Sequence, residues 1–129
     1  MSIQSDPAQL APVRKSVESF CDRNGFDEKA VGEIGLCLNE AMANVIRHAY
    51  HDQSNQPIEI EASIEADTLY LKVRDWGDGA KPDTIRKVEK DPIQPGGLGL
   101  ICMGRLMDKV TFTPQTKGML LEMQKKKRS

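Results

Sequence analysis

The sequence has no apolar run approaching the ~18 residues of a membrane span, and its opening Met1-Ser2-Ile3-Gln4-Ser5-Asp6 lacks the basic start of a secretion signal. Charge of either sign is not in excess. With 18 basic and 19 acidic side chains the net charge is −1, so no overall field draws the chain to nucleic acid or to a membrane surface. Cysteine is scarce: Cys21, Cys37 and Cys102 are odd in number, scattered, and outside any C-x-x-C spacing. They read as reduced, half-buried helix residues rather than metal ligands or nucleophiles, which predicts a cytoplasmic home. There is no internal repeat and no low-complexity tract. Neither the G-x-x-x-x-G-K-[ST] phosphate loop nor a dinucleotide-binding fingerprint occurs.

What is present is one domain's worth of chain. At 129 residues, residues 1–129 are expected to form a single domain that buries about two-thirds of its unfolded surface. Its organising stretch is Leu36 to Tyr50, which contains neither proline nor glycine. Ala41, Val45 and Ala49 recur every four positions and describe one buried stripe of a helix. Glu40 and Asn44 are also four apart and share a face, with Arg47 close to it. A carboxylate, a carboxamide and a guanidinium are thus aligned beside an apolar stripe.

Around that stretch the chain reads as follows. A short extended start precedes a helix announced by Asp6-Pro7 or by Pro12, with Leu10, Val13, Val17 and Phe20-Cys21 inward and Asn24-Gly25 at its end. Asp27 caps a second helix running to about Ala49 or Tyr50, with Gly32 and Gly35 each costing about 1 kcal/mol relative to alanine. His48 to Gln56 reads as a polar turn. Ile58, Ile60, Ala62 and Ile64 then alternate with Glu59, Glu61, Ser63 and Glu65. After a turn at Ala66-Asp67, Leu69, Leu71 and Val73 alternate with Tyr70, Lys72 and Arg74, which makes an antiparallel hairpin with one wet face. Residues 80–96 form a long connection with three prolines, in which Asp83 can cap a short helix with Ile85 and Val88 inward. A third helix follows, with Leu100, Ile101, Met103, Leu106 and Met107 apolar, then strands at Asp108 to Thr113 and Met119 to Met123. Strands joined as hairpins predict an α+β fold, a mixed but mostly antiparallel sheet with helices on one face. The basic tail Lys125 to Arg128 reads as a solvated, frayed end, with an accessory contact to an acidic partner as the alternative.

Two glycine motifs carry chemistry. Asp75-x-Gly77-x-Gly79 follows directly on a strand. A carboxylate there can accept a hydrogen bond from an exocyclic amino group such as adenine's N6, and the glycines let the backbone come near a flat ring. Gly97-x-Gly99 opens a helix, whose free N–H groups and dipole suit a polyphosphate. An Asp-Gly turn and a flexible helix entry are the plainer readings of each motif alone.

Glu40-x-x-x-Asn44, Asp75-x-Gly77-x-Gly79 and Gly97-x-Gly99-Leu100 together resemble the N, G1 and G2 boxes of the GHKL ATP-binding superfamily. Within it, Asn44 to Tyr50, Gly96-Gly97-Leu98-Gly99-Leu100 and Leu106 to Val110 are similar to the anti-sigma-factor serine/threonine kinases, over nearly the whole chain. The resemblance implies a Bergerat-type two-layer sandwich holding ATP under a lid at about 80–96. By motif position Asn44 would hold Mg²⁺ and Glu40 would be the general base. Asp75 would read adenine, and Gly77, Gly79, Gly97 and Gly99, with Leu98 and Leu100, would shape the pocket. Arg47 is a candidate phosphate contact on geometry more than on motif. Lys81, Arg86, Lys87 and Lys90 either aid the lid or are simply solvated. Ala80 and Pro95 depart from the family pattern and bear on lid packing. Trp76 is either core or a partner contact, His48 a hydrogen-bonded residue near a helix end, and His51 a surface turn residue.

The activity this implies is transfer of phosphate from Mg·ATP to a STAS-type antagonist by a regulator that also sequesters a sigma factor. No direct contact with nucleic acid or membrane is expected, and the family suggests a homodimer. The alternatives are a non-catalytic ATP-sensing binding module and a histidine-kinase-like orphan ATPase domain.

Overall fold

The structure is a computed structural model that describes residues 1–77 and 97–127, with backbone alone for 97–101. The expected lid at about 80–96, with Ala80, Lys81, the Asp83 helix, Arg86, Lys87, Lys90 and Pro95, lies outside the described residues. So do Gly79 and Arg128.

Strand β1 (Ser2–Gln4) is followed by a 3₁₀ turn at Pro7–Gln9 and helix α1 (Leu10–Arg23). Asp6 starts the turn, its carboxylate accepting the Ala8 N–H at 3.0 Å ahead of Pro7. Leu10, Val13, Val17 and Cys21 are the buried stripe of α1, and Gly25 at φ +92° turns the chain out of it. Helix α2 (Glu28–Asn44) is capped by Asp27, which accepts the Ala30 N–H at 2.7 Å. The predicted continuation to Ala49 is present in altered form. The α-helix ends at Asn44 and the chain goes on as a π-helical turn, Val45–Ala49. With no glycine available, His51 and Asp52 take the left-handed conformation, at φ 52° and 65°, that stops it.

Strands β2 (Pro57–Glu65) and β3 (Thr68–Asp75) form the expected hairpin, with Ala66 at φ 55° in the turn. Helix α3 (Gly97–Leu106), β4 (Lys109–Pro114) and β5 (Met119–Lys126) complete the chain. The sheet order is β1-β2-β3-β5-β4. All four ladders are antiparallel, so the parallel pairing that a mixed sheet allowed for does not occur among the described residues. The α+β two-layer architecture stands as expected.

Period-two alternation sets which face is covered. Ile58, Ile60, Leu69, Leu71, Val73, Leu121 and Met123 point at the helices and are buried with Val17, Ile34, Leu38, Met42 and Met103. On the open face Glu59 stands opposite Arg74, and Lys72 stands between Glu61 and Glu122, pairs of opposite sign that suit water and one another. Helix α2 is central, packed by α1 on one side and α3 on the other.

The basic tail is a correction. Lys125 and Lys126 belong to β5, next to the central strand β3, and are not a frayed end. Lys125 faces the helices, is buried, and its ammonium reaches the Leu106 carbonyl at 2.5 Å and Glu33 at 3.5 Å. The alternation that makes Met119, Leu121 and Met123 inward places Lys125 inward too. Its long stem then carries the charge to the last carbonyls of α3.

Candidate nucleotide site

Glu40 and Asn44 lie one turn apart near the end of α2, both half-buried, and Arg47 follows in the π turn. The Arg47 guanidinium donates to the Asn44 side-chain oxygen at 3.1 Å. The other end of that carboxamide, Nδ2, is buried and has no partner among the described residues. A buried polar atom without a partner is costly and marks a place that expects one. Glu40 makes no hydrogen bond or ion pair among the described residues, so the fold does not engage its carboxylate.

Asp75 closes β3 on the covered face of the sheet and is buried. Its Oδ1 accepts the Gly77 N–H at 3.0 Å. Burial pushes its pKa above the ordinary carboxylate value, against the pull of the Gly77 N–H and of Arg74. Gly77 is required by contact: a Cβ there would collide with the Ala49 carbonyl and lie 2.7 Å from the Ala49 side chain. The end of the π turn and the Asp75-Trp76-Gly77 bend are therefore pressed backbone to backbone, which a side chain at 77 would prevent.

Two further residues fix this junction, and the reading by pattern missed both. Tyr50 opens the expected polar turn, its carbonyl accepting the Gln53 N–H at 3.0 Å, but its side chain is buried, and its hydroxyl donates to the Pro57 carbonyl at 2.6 Å and accepts the Trp76 N–H at 2.8 Å. Burial raises its pKa. Gly118, at φ +86°, sits against the backbone of Asp75 and Trp76, its added Cβ falling 2.6 Å from the Trp76 Cα. Its position just ahead of Met119, the register partner of Asp75, becomes visible only once the strands are paired. Trp76 is neither core nor free: half-buried, it packs its ring 4.4 Å from the Arg74 guanidinium, which also donates to the Lys117 carbonyl at 3.0 Å.

His48 is exposed and makes no hydrogen bond among the described residues, so the bonded histidine expected there is not found. Partial burial and the neighbouring Arg47 lower its pKa. His51 is exposed in the turn, as expected. Gly97, Leu98, Gly99 and Leu100 form the first turn of α3, whose length lies along α2. Cys21 and Cys37 are buried and unpaired, and burial pushes their thiols up to about 11 and about 12. Such thiols are protonated and inert at neutral pH. Among the described residues no three metal-ligating side chains converge, and no helix is long and apolar enough to cross a membrane.

Residues 3–125 match the family described as the histidine kinase-like ATPase domain. Among curated proteins the chain is similar to the serine-protein kinase RsbW of Oceanobacillus iheyensis, 26% identical over 94% of this chain and 82% of that one. It is likewise similar to RsbW of Bacillus subtilis (strain 168), 27% identical over 85% of this chain and 74% of the relative. Among solved structures it is similar to the catalytic domain of histidine kinase ThkA, with a TM-score of 0.64 at 14% identity over 98% of this chain and 96% of that chain. The histidine kinase domain of the Erythrobacter litoralis EL346 blue-light activated kinase gives a TM-score of 0.62 at 18% identity, covering 93% of this chain and 60% of that chain.

Proposed function

The chain belongs to the family of histidine kinase-like ATPase domains, and on that premise we propose that it is a protein serine/threonine kinase using Mg·ATP. The observation that carries the reading is the junction at Ala49. There the helix bearing Glu40, Asn44 and Arg47 is pressed against the bend that follows Asp75. One end of a nucleotide at this junction meets a buried carboxylate, the other a carboxamide with an unsatisfied end and an exposed guanidinium.

In this reading Asp75 accepts the adenine N6 amino group, and Gly77 and Gly79 let the backbone approach the ring. Gly97 and Gly99, with Leu98 and Leu100, present the first turn of α3 to the phosphates. Asn44 fits a hard cation. Turned about its last torsion, the carboxamide would offer Oδ1 where the unpartnered Nδ2 now points, and Arg47 would leave it for a phosphate oxygen. Asn44 would be the protein's ligand to magnesium, which would supply neutralisation of phosphate charge, a role for which one carboxamide is enough. Glu40 takes the proton of the attacking hydroxyl as the new O–P bond forms and ADP leaves.

The acceptor we propose is a serine or threonine of a STAS-type antagonist, with capture of a sigma factor as the second activity. The serine-protein kinases among the relatives support a hydroxyl acceptor. A cytoplasmic location, which the unpaired cysteines favour, and a homodimer complete the proposal. It is tested by incubating the protein with Mg·ATP and an antagonist from the same genome, then mapping the phosphosite. Phosphate on a hydroxyl supports it. ATP binding with no transfer replaces it by a nucleotide-sensing module, and phosphate on a histidine replaces it by a histidine kinase activity.

A further inference from the structure

Away from the nucleotide residues, at the other end of α2, a groove of about 440 Å³ opens between the start of α2, the end of α3 and the end of β5. Lys29, Arg105, Lys125, Lys126 and Lys127 line it, against only Asp27 and Glu33. In a chain whose basic and acidic residues nearly cancel, this is a local excess of positive charge.

Both acids are already committed inside the fold. Asp27 caps α2 through the Ala30 N–H, and Glu33 pairs with the buried Lys125. Lys126 stands 3.8 Å from Asp67, an exposed pair of little strength. Lys29 and Arg105 are exposed and have no acidic partner among the described residues. Lys127 is held over the edge of the groove by Phe26, its ammonium 5.8 Å from the ring centroid. Lys29 also lies in the first turn of α2, beside the positive end of the helix dipole, where a cation is disfavoured and an anion favoured. Asp27 and Glu28 already meet the dipole there, and the cations left over in the groove fit a ligand that brings its own negative charge.

We propose that this groove docks an acidic segment of a partner protein. Its size admits a few carboxylate side chains, and Asp27 and Glu33 interrupt the track of cations that a nucleic-acid backbone would need. A segment seated at Lys29 would hold its protein about 16 Å along α2 from Glu40, at 1.5 Å of rise per residue. That is close enough for one small domain to span both. The proposal concerns binding and stands whether or not phosphate is transferred.

The probe is a fluorescein-labelled peptide of alternating Glu and Ser, titrated with the intact protein and read by anisotropy, with ATP affinity measured in parallel by calorimetry. Saturable binding is expected to weaken at least about tenfold in Lys29→Glu/Arg105→Glu, and to fall with added salt. ATP affinity should stay unchanged in that variant, which also shows that it folds. Lys15→Glu/Lys72→Glu, the same change of charge placed on the exposed side of α1 and the open sheet face, should bind the peptide as the parent does. Equal weakening in both variants would mean a general charge effect and would overturn the proposal. So would a double variant that binds like the parent, or a DNA duplex that displaces the peptide at lower concentration than an unlabelled acidic peptide. Absence of ATP binding in the parent would count against the kinase reading alone.

Discussion

The hydroxyl of Tyr50 receives the backbone N–H of Trp76 at 2.8 Å and so ties the end of the π turn to the residue after Asp75. Its proton goes to the Pro57 carbonyl at the start of β2. One side chain thus joins three segments that the sequence separates. Tyr50→Phe keeps the ring and leaves two part-buried backbone groups without their partner, at about 1–3 kcal/mol. Urea denaturation should show that loss, and calorimetry should show weaker ATP binding. Tyr70→Phe, on the open face, should stay within about 0.5 kcal/mol of the parent. A Tyr50→Phe protein as stable as the parent would remove the tie.

Gly77 and Gly32 should respond in opposite directions to the same methyl group. At Gly77 a Cβ meets the Ala49 carbonyl, which cannot move without shifting the π turn, so Gly77→Ala should destabilise by about 1–3 kcal/mol and weaken nucleotide binding. At Gly32, inside α2, a Cβ meets nothing within 4 Å. Gly32→Ala should therefore stabilise by up to about 1 kcal/mol through helix propensity. Thermal melts of the two variants, read against the parent, check the contrast.

The elements were legible because local patterns specify them. Asp27 with the stripe Ala41, Val45, Ala49 marks the second helix, and strict alternation marks β2 and β3. Glu40, Asn44 and Asp75 were legible as candidates because the helix period and the strand's end place them. What stayed hidden depends on contacts between distant segments. Tyr50 sits in a run of polar residues, and only the pairing of its hydroxyl with Pro57 and Trp76 explains why it is buried. Gly118 resembles any turn glycine until β5 lies against β3. Lys125 was misread because a run of four basic residues looks solvated, whereas the strand's alternation carries one of them inward.

Asp75 should give stability and nucleotide binding opposite dependences on acid. Burial raises its pKa in the folded chain above the unfolded value. The folded state therefore holds the proton more tightly. The contribution of Asp75 to the stability of the nucleotide-free protein is full below the unfolded pKa and is lost as pH rises through the folded one. Acceptance of the adenine amino group favours the ionised carboxylate, so ATP affinity should fall as pH drops through that same raised value. Calorimetry between about pH 4 and pH 7 should show this acid limb in the parent and a flatter one in Asp75→Asn. Taking the difference between the two proteins cancels the titration of ATP itself. At neutral pH Asp75→Asn should weaken binding by about 1–3 kcal/mol. Parallel curves of equal affinity would remove Asp75 as the reader of the base.

Glu40 separates binding from chemistry. It is one turn from Asn44, half-buried, and engaged by no other described side chain, so replacing it disturbs no hydrogen bond of the fold. Glu40→Gln has nearly the same volume and keeps an oxygen, but it cannot take a proton from an attacking hydroxyl. ATP affinity and melting temperature should be unchanged, while phosphoryl transfer to the acceptor protein falls at least about 100-fold, the contribution of a positioned general base. Were Glu40 instead a contact for the nucleotide or the metal, the same substitution would weaken ATP binding along with transfer. Were transfer to persist near its parental rate, the proton would have to leave by another route, since loose phosphoryl transition states need little help from a base. Single-turnover kinetics at saturating ATP distinguish the three outcomes, because they read the chemical step without the binding step that the proposal assigns to Asn44 and Asp75.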